Sequence, residues 1–184
     1  YVTKLRGKVH MDRVKVLLID FQSNIFSNLH NEKFNQVVLP IGPMYLSAWL
    51  KAHLENVEVK LMKSFIDFNN KEELLHTIAE FAPDIIGIKA MSIDIEQLFE
   101  YVKYIRENYF KDRYIITLGG PITNSNTKEV YNSGLFEYVT IGEEERTFLE
   151  IVKAFWEQRP IKNFVKGIVY SESLYEKDFI EDLD

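Results

Sequence analysis

The apolar positions along this chain fall into two alternating rhythms. Residues 14–20 (V-K-V-L-L-I-D) are almost continuously apolar and close on a carboxylate. A short, β-branched run of this kind reads as a strand covered on both faces. Residues 85–88 (I-I-G-I) and 114–118 (Y-I-I-T-L) read the same way, and residues 138–141 form a fifth run. Residues 57–62 (V-E-V-K-L-M) alternate apolar with charged, which predicts an outer strand.

Between the strands the period becomes helical. Leu74, Leu75, Ile78 and Phe81 make one stripe. Asn70 and Glu73 stand at capping-box spacing before it, and Pro83 stops it. Ile95, Leu98, Phe99, Val102, Ile105 and Tyr109 make another, opened by Asp94 and Gln97 at the same spacing. Residues 44–54 are apolar nearly all round, which predicts a helix buried on more than one side, with Pro43 in the first helical position. A short helix over 127–131 ends near Gly134, a suitable left-handed cap. Phe148, Leu149, Val152, Phe155 and Trp156 mark a helix over 146–158 that Pro160 ends, with both tryptophans, Trp49 and Trp156, in the core. Residues 165–170 read as a further strand, followed by an acidic tail.

Five strands alternating with five helices predict an α/β fold: a Rossmann-like, flavodoxin-like open five-stranded parallel sheet with helices on both faces, in the order 2-1-3-4-5. In such sheets ligands bind beyond the carboxyl ends of the strands, at the switch point between strands one and three. That rim holds Asp20, Phe21 and Gln22, then Lys89, Ala90, Met91 and Ser92, then Gly119, Gly120 and Pro121, and finally Gly142 with Glu143 to Glu145. The glycine pair matters most, because without a Cβ a bulky ligand can lie directly on the backbone. The alternative is that both glycine loops are ordinary tight turns. Glu143 to Glu145 suit a helix start through the dipole, or a ligand or domain contact.

Composition narrows the chemistry. The 184 residues, 46% hydrophobic, suffice for one substantial core. A net charge of −6 argues against an extended nucleic-acid surface. The absence of cysteine removes disulfides, thiolate metal sites and cysteine-held clusters from this chain. His10, His30, His53 and His76 are scattered, so no metal site is expected. No apolar run is long enough to span a membrane, and the basic start lacks the apolar centre of a secretory signal, so a cytoplasmic location is expected. A lone Asp20 excludes a phospho-receiver's acid pair, and Ser23 and Ser27 are too sparse for a flavin phosphate loop.

Several segments together resemble one family. P-I-G-P-M-Y-L-S-A-W-L at 40–50, A-P-D-I-I-G-I at 82–88, L-G-G-P-I-T at 118–123 and I-G-E-E-E-R-T-F-L-E at 141–150 are similar to the cobalamin-binding domains that precede radical S-adenosylmethionine domains. In the last segment Glu144 stands where that family's Gly-Glu-Gly-Glu pattern has its second glycine. K-G-I-V-Y at 166–170 and the final Asp182-Leu183-Asp184 resemble the family's linker.

The resemblance implies three parts: a leader or added segment over 1–13, a cobalamin-binding-like α/β domain over 14–160, and a terminal strand and linker over 161–184. It implies a radical S-adenosylmethionine domain in cis, which would hold the [4Fe–4S] cluster and S-adenosylmethionine. It also implies a methyltransferase acting on a small-molecule or peptide substrate, with neither nucleic acid nor membrane as partner. Cobalamin would sit on Phe21, Gln22, Lys89 to Ser92, Gly119 to Pro121, Gly142 and Glu143. Its corrin amides would bond Gln22, Ser23 and Ser92. The sequence lacks D-x-H-x-x-G after the first strand, so no histidine is expected on cobalt. Lys89 stands where tail-binding relatives carry a small hydroxyl residue; it would either pair with the tail phosphate or block the slot. The alternative function is a degenerate module that positions a substrate or partner domain without binding cobalamin.

Overall fold

The computed structural model describes residues 13–23, 39–161 and 165–169. Among these residues five strands form one parallel sheet in the order β2-β1-β3-β4-β5. β1 (Val14–Asp20) lies between β2 (Val57–Lys63) and β3 (Ile85–Lys89). β4 (Ile115–Gly119) joins β3, and β5 (Tyr138–Val139) joins β4. The expected order and direction are therefore present. The register sets Asp20 level with Lys63 and Lys89, and Lys89 level with Gly119. Four strands thus end on one rim.

The helices are α1 (Ile41–His53), α2 (Lys71–Phe81), α3 (Ile95–Asn108), α4 (Pro121–Ser125), α5 (Thr127–Asn132) and α6 (Glu145–Trp156), with a 3-10 turn at Ser92–Asp94. Strand alternation divides the core in two. Leu17, Ile19, Ile86, Ile88, Ile116 and Leu118 pack with Leu74, Ile78, Leu98, Val102 and Ile105 of α2 and α3. Val14, Val16, Leu18 and Ile85 pack with Leu46 and Leu50 of α1 and with Phe148, Val152 and Phe155 of α6. Each such burial contributes about 1.5–3 kcal/mol.

Several local expectations change. α1 buries Pro43, Leu46, Ser47 and Leu50 but leaves Ile41, Met44 and Tyr45 exposed, so it is covered on one side only. It starts at Ile41, ahead of Pro43. Trp49 and Trp156 are half-buried at the margin of the second core. β5 is shorter than read; Thr140 beyond it still donates its N–H to the Leu118 carbonyl (2.8 Å) and also bridges Ile168 in the antiparallel sense. Residues 165–169 form that single bridge, not a sixth strand, turning at Gly167 with φ +84°. The remainder of the expected linker and nearly all of the leader lie outside the described residues.

The two capping expectations part company. Asn70 caps α2 as read, accepting the Glu73 N–H at 2.8 Å. Asp94 instead accepts from the Ser23 N–H and hydroxyl (2.9 and 2.7 Å) and from the Met91 N–H (3.1 Å). It therefore ties the loop after β1 to the turn after β3.

Candidate functional site

A cleft of about 260 Å³ opens at the carboxyl ends of β1, β3 and β4, between α1 and α6. Leu18, Ile19, Gly87, Ile88 and Thr117 of the sheet line it. Gly42, Pro43 and Leu46 line it from α1, and Glu145 and Phe148 from α6. Lys89, Gly120, Pro121 and Gly142 to Glu144 complete it. Gly87 shapes the base: a Cβ there would stand 2.9 Å from Leu18 Cδ2 and 3.0 Å from Phe148 Cζ. Its absence lets Phe148 rest on the sheet. Gly120, with φ +86° and ψ −168°, holds a conformation essentially reserved for glycine.

Of the residues expected to hold cobalamin, five line the cleft: Lys89, Gly120, Pro121, Gly142 and Glu143. The others do not. Phe21 is buried and meets Tyr101 edge-on at 5.1 Å, in the core of the α2–α3 side. Ala90 is fully buried in that core, and its carbonyl accepts the Ile122 N–H at 3.2 Å. Gln22 is exposed, with its backbone N–H on Ser64 Oγ (3.0 Å). Met91 is exposed and Ser92 half-buried in the turn after β3. Gly119 is buried beneath the Glu144 side chain. Leu18, Gly42, Gly87 and Phe148 escaped sequence reasoning as site residues. Gly87 left one signal, a glycine inside an otherwise β-branched strand.

The charges at this edge are largely committed. Asp20, 4% exposed, accepts from Lys63 Nζ at 2.7 Å and Lys89 Nζ at 2.8 Å. It is therefore an ion-pair centre. Lys89 is turned toward Asp20, and its Cγ lies 2.9 Å from where a Gly120 Cβ would stand.

Glu144 does something the sequence did not suggest. Its Oε1 accepts the Gly120 N–H at 2.7 Å, and its carboxylate occupies the space a side chain on Gly119 would take. Burial pushes its pKa up to about 7, against the lowering pull of the Gly120 N–H and the Thr140 hydroxyl, while Glu145 adds to the rise. Glu145 Oε2 is buried without a hydrogen-bond partner among the described residues.

No group of three His, Cys, Asp or Glu that could hold a metal occurs among the described residues. No helix among them is long and apolar enough to cross a membrane. His53 Nδ1 lies 2.8 Å from the Trp49 carbonyl, His76 approaches Glu80, and neither lines the cleft. His10 and His30 lie outside the described residues. The rim carries exposed apolar side chains: Ile41 and Met44 on α1, Phe65 and Ile66 after β2, Met91 and Ile93 after β3. Phe65 adopts φ +67°, a strained conformation for an aromatic residue.

The family model for the B12 binding domain matches residues 29–152. An uncharacterized methyltransferase from Pyrococcus horikoshii is 28% identical over 138 residues, which cover 73% of this chain and 28% of that protein. Among solved structures, the cobalamin-dependent S-adenosylmethionine radical enzyme OxsB, with aqua-cobalamin and S-adenosylmethionine bound, superposes with a TM-score of 0.74 at 19% identity. That match covers 92% of this chain and 23% of OxsB. The radical S-adenosylmethionine methyltransferase TsrM from Kitasatospora setae, with tryptophan substrate and a S-adenosylmethionine analogue bound, gives a TM-score of 0.64 at 20% identity, covering 84% of this chain and 28% of TsrM. This chain thus spans less than a third of the length of each of these relatives.

Proposed function

Because this chain belongs to the B12-binding domain family, we propose that it is the cobalamin-binding domain of a radical S-adenosylmethionine methyltransferase, with the cleft between α1 and α6 taking the cofactor's nucleotide tail. The cleft carries this reading. It lies at the switch point between β1 and β3, where ligands of open parallel sheets bind. Leu18, Leu46 and Phe148 offer an apolar surface to a flat aromatic base, and glycines 42, 87, 120 and 142 keep backbone close to it. Asp20 draws the Lys89 ammonium away as an ion pair. Bound cobalamin would supply a cobalt centre able to carry a methyl group. The chain's own part is to hold it and exclude water.

The exposed apolar rim supports a corrin ring and a covering partner domain at the same edge. The partner we propose is a radical S-adenosylmethionine domain in cis, bearing a [4Fe–4S] cluster and S-adenosylmethionine, in a cytoplasmic enzyme acting on a small molecule or peptide. Titration of this chain with hydroxocobalamin, followed by visible absorption and calorimetry, tests the reading. Saturable binding is expected. Gly42→Leu should weaken it, because a Cβ at Gly42 meets nothing within 4 Å and leaves the fold unstrained. Failure of both this chain and the full-length enzyme to bind refutes the reading.

One observation favours a second reading, a degenerate domain that positions a partner without holding cobalamin. The Glu144 carboxylate stands on Gly119, where ligand access to the backbone was expected. The same titration separates the two.

A further inference from the structure

We infer that Glu144 is the gate of the cleft: its side chain stands over Gly119 and must swing away before a corrinoid tail can lie on the glycine backbone. The inference rests on the cobalamin reading above and deepens it.

Three observations carry it. The first is steric. The carboxylate fills the place of a side chain on Gly119, so a ligand atom resting there meets Glu144 before it meets backbone. The second is hydrogen bonding. Glu144 Oε1 already takes the Gly120 N–H at 2.7 Å, and a ligand displacing it must supply an acceptor or leave that donor unpaired. A sugar or phosphate oxygen of the tail can do so; an apolar group cannot. The third is mobility. Glu144 is only half-buried at the mouth of the cleft, so its side chain has solvent to turn into without moving the sheet.

Protonation biases the same gate. Glu143 and Glu145 flank it on the chain, Lys89 stands level with Gly119 on the next strand and is paired to Asp20, and Thr140 donates to it. The enclosed carboxyl titrates near 7, whereas a carboxyl turned out into water returns to its ordinary value of 4.5. The closed position therefore binds the proton more tightly, and acid holds the gate shut.

The experiment is calorimetric titration of the chain and of its E144A and E144Q variants with hydroxocobalamin and with cobinamide, which lacks the nucleotide tail, at pH 5 and pH 8. Thermal melting first confirms that each variant folds. E144A should bind hydroxocobalamin about tenfold tighter than the parent, the weight of one charge-assisted hydrogen bond, with cobinamide affinity unchanged. The parent's affinity should fall from pH 8 to pH 5 and that of E144A should not. E144Q, of the same size but without a titrating proton, should bind at least as weakly as the parent at both. Equal or weaker hydroxocobalamin binding by E144A overturns the gate, as does an equal gain for cobinamide. If E144A does not fold, an E144Q affinity that still tracks pH overturns it. If none of the three binds, the same titrations are made in the full-length enzyme, where absence of binding overturns the cobalamin reading and the gate with it; equal binding by all three, in either form, removes the gate alone.

Discussion

Gly120 and Gly42 line the same cleft, yet alanine at each is expected to move stability in opposite directions. At Gly120 the backbone holds φ +86° and ψ −168°. A side chain in that region costs on the order of 1–3 kcal/mol. The new Cβ would also stand 2.9 Å from Lys89 Cγ and 3.3 Å from the Ala90 carbonyl oxygen. Lys89 cannot yield freely, because its ammonium is bonded to Asp20 at 2.8 Å. Local overpacking adds about 1 kcal/mol, so G120A should cost about 3 kcal/mol in all. For a chain of this length that lowers the melting temperature by roughly 6–12 °C. At Gly42, in the first turn of α1, a Cβ meets nothing within 4 Å. Removing a helical glycine there gains about 0.5 kcal/mol, a rise of roughly 1–2 °C. Thermal and urea unfolding followed by far-ultraviolet circular dichroism at pH 7 measures both. A G120A protein that melts at or above the parent refutes the backbone argument. A G42A protein that melts below it shows that this side of the cleft is not open.

Glu144 makes stability depend on pH. Its folded value, about 7, lies above the ordinary 4.5, so its contribution is fully present below about 4.5 and is lost as pH rises through 7. Relative to E144Q, the parent should lose about 2 kcal/mol between pH 4.5 and 8 in urea unfolding, after allowance for partial exposure; a constant difference would contradict the burial argument. Asp20→Asn leaves the Lys63 ammonium, 7% exposed, without its counter-charge, and should cost about 3–5 kcal/mol, with much of it restored by adding Lys63→Met. A surface-like loss below about 1 kcal/mol would show that water reaches the pair. Asp94→Ala strands the Ser23 and Met91 N–H groups; amide exchange at Ser23 should accelerate more than at Ile19 in β1, and uniform acceleration would argue against a local tether.

The architecture was legible in the chain because it follows from local rhythm. Short apolar runs rich in Val and Ile at β1, β3 and β4 read as strands covered on both faces, and the alternation in β2 marks the edge. Helical stripes between them force parallel crossovers, and parallel crossovers bring the strand ends to one rim. Asn70 was readable because a cap acts within four residues. Nothing local announced α4, whose five residues are too few for a period, or the antiparallel bridge by which Ile168 meets Thr140 from 28 residues away. Asp94 showed capping spacing but was drawn instead to Ser23, since a buried donor competes more strongly than a solvated helix end. The rim's residues were known from the sequence; the orientation of their side chains was not. Phe21 and Ala90 turned into the α2–α3 core, Lys89 turned to Asp20, and Glu144 turned onto Gly119. Each of those turns is settled by packing and hydrogen bonding between segments far apart in the chain, a competition that takes place only once the sheet has assembled.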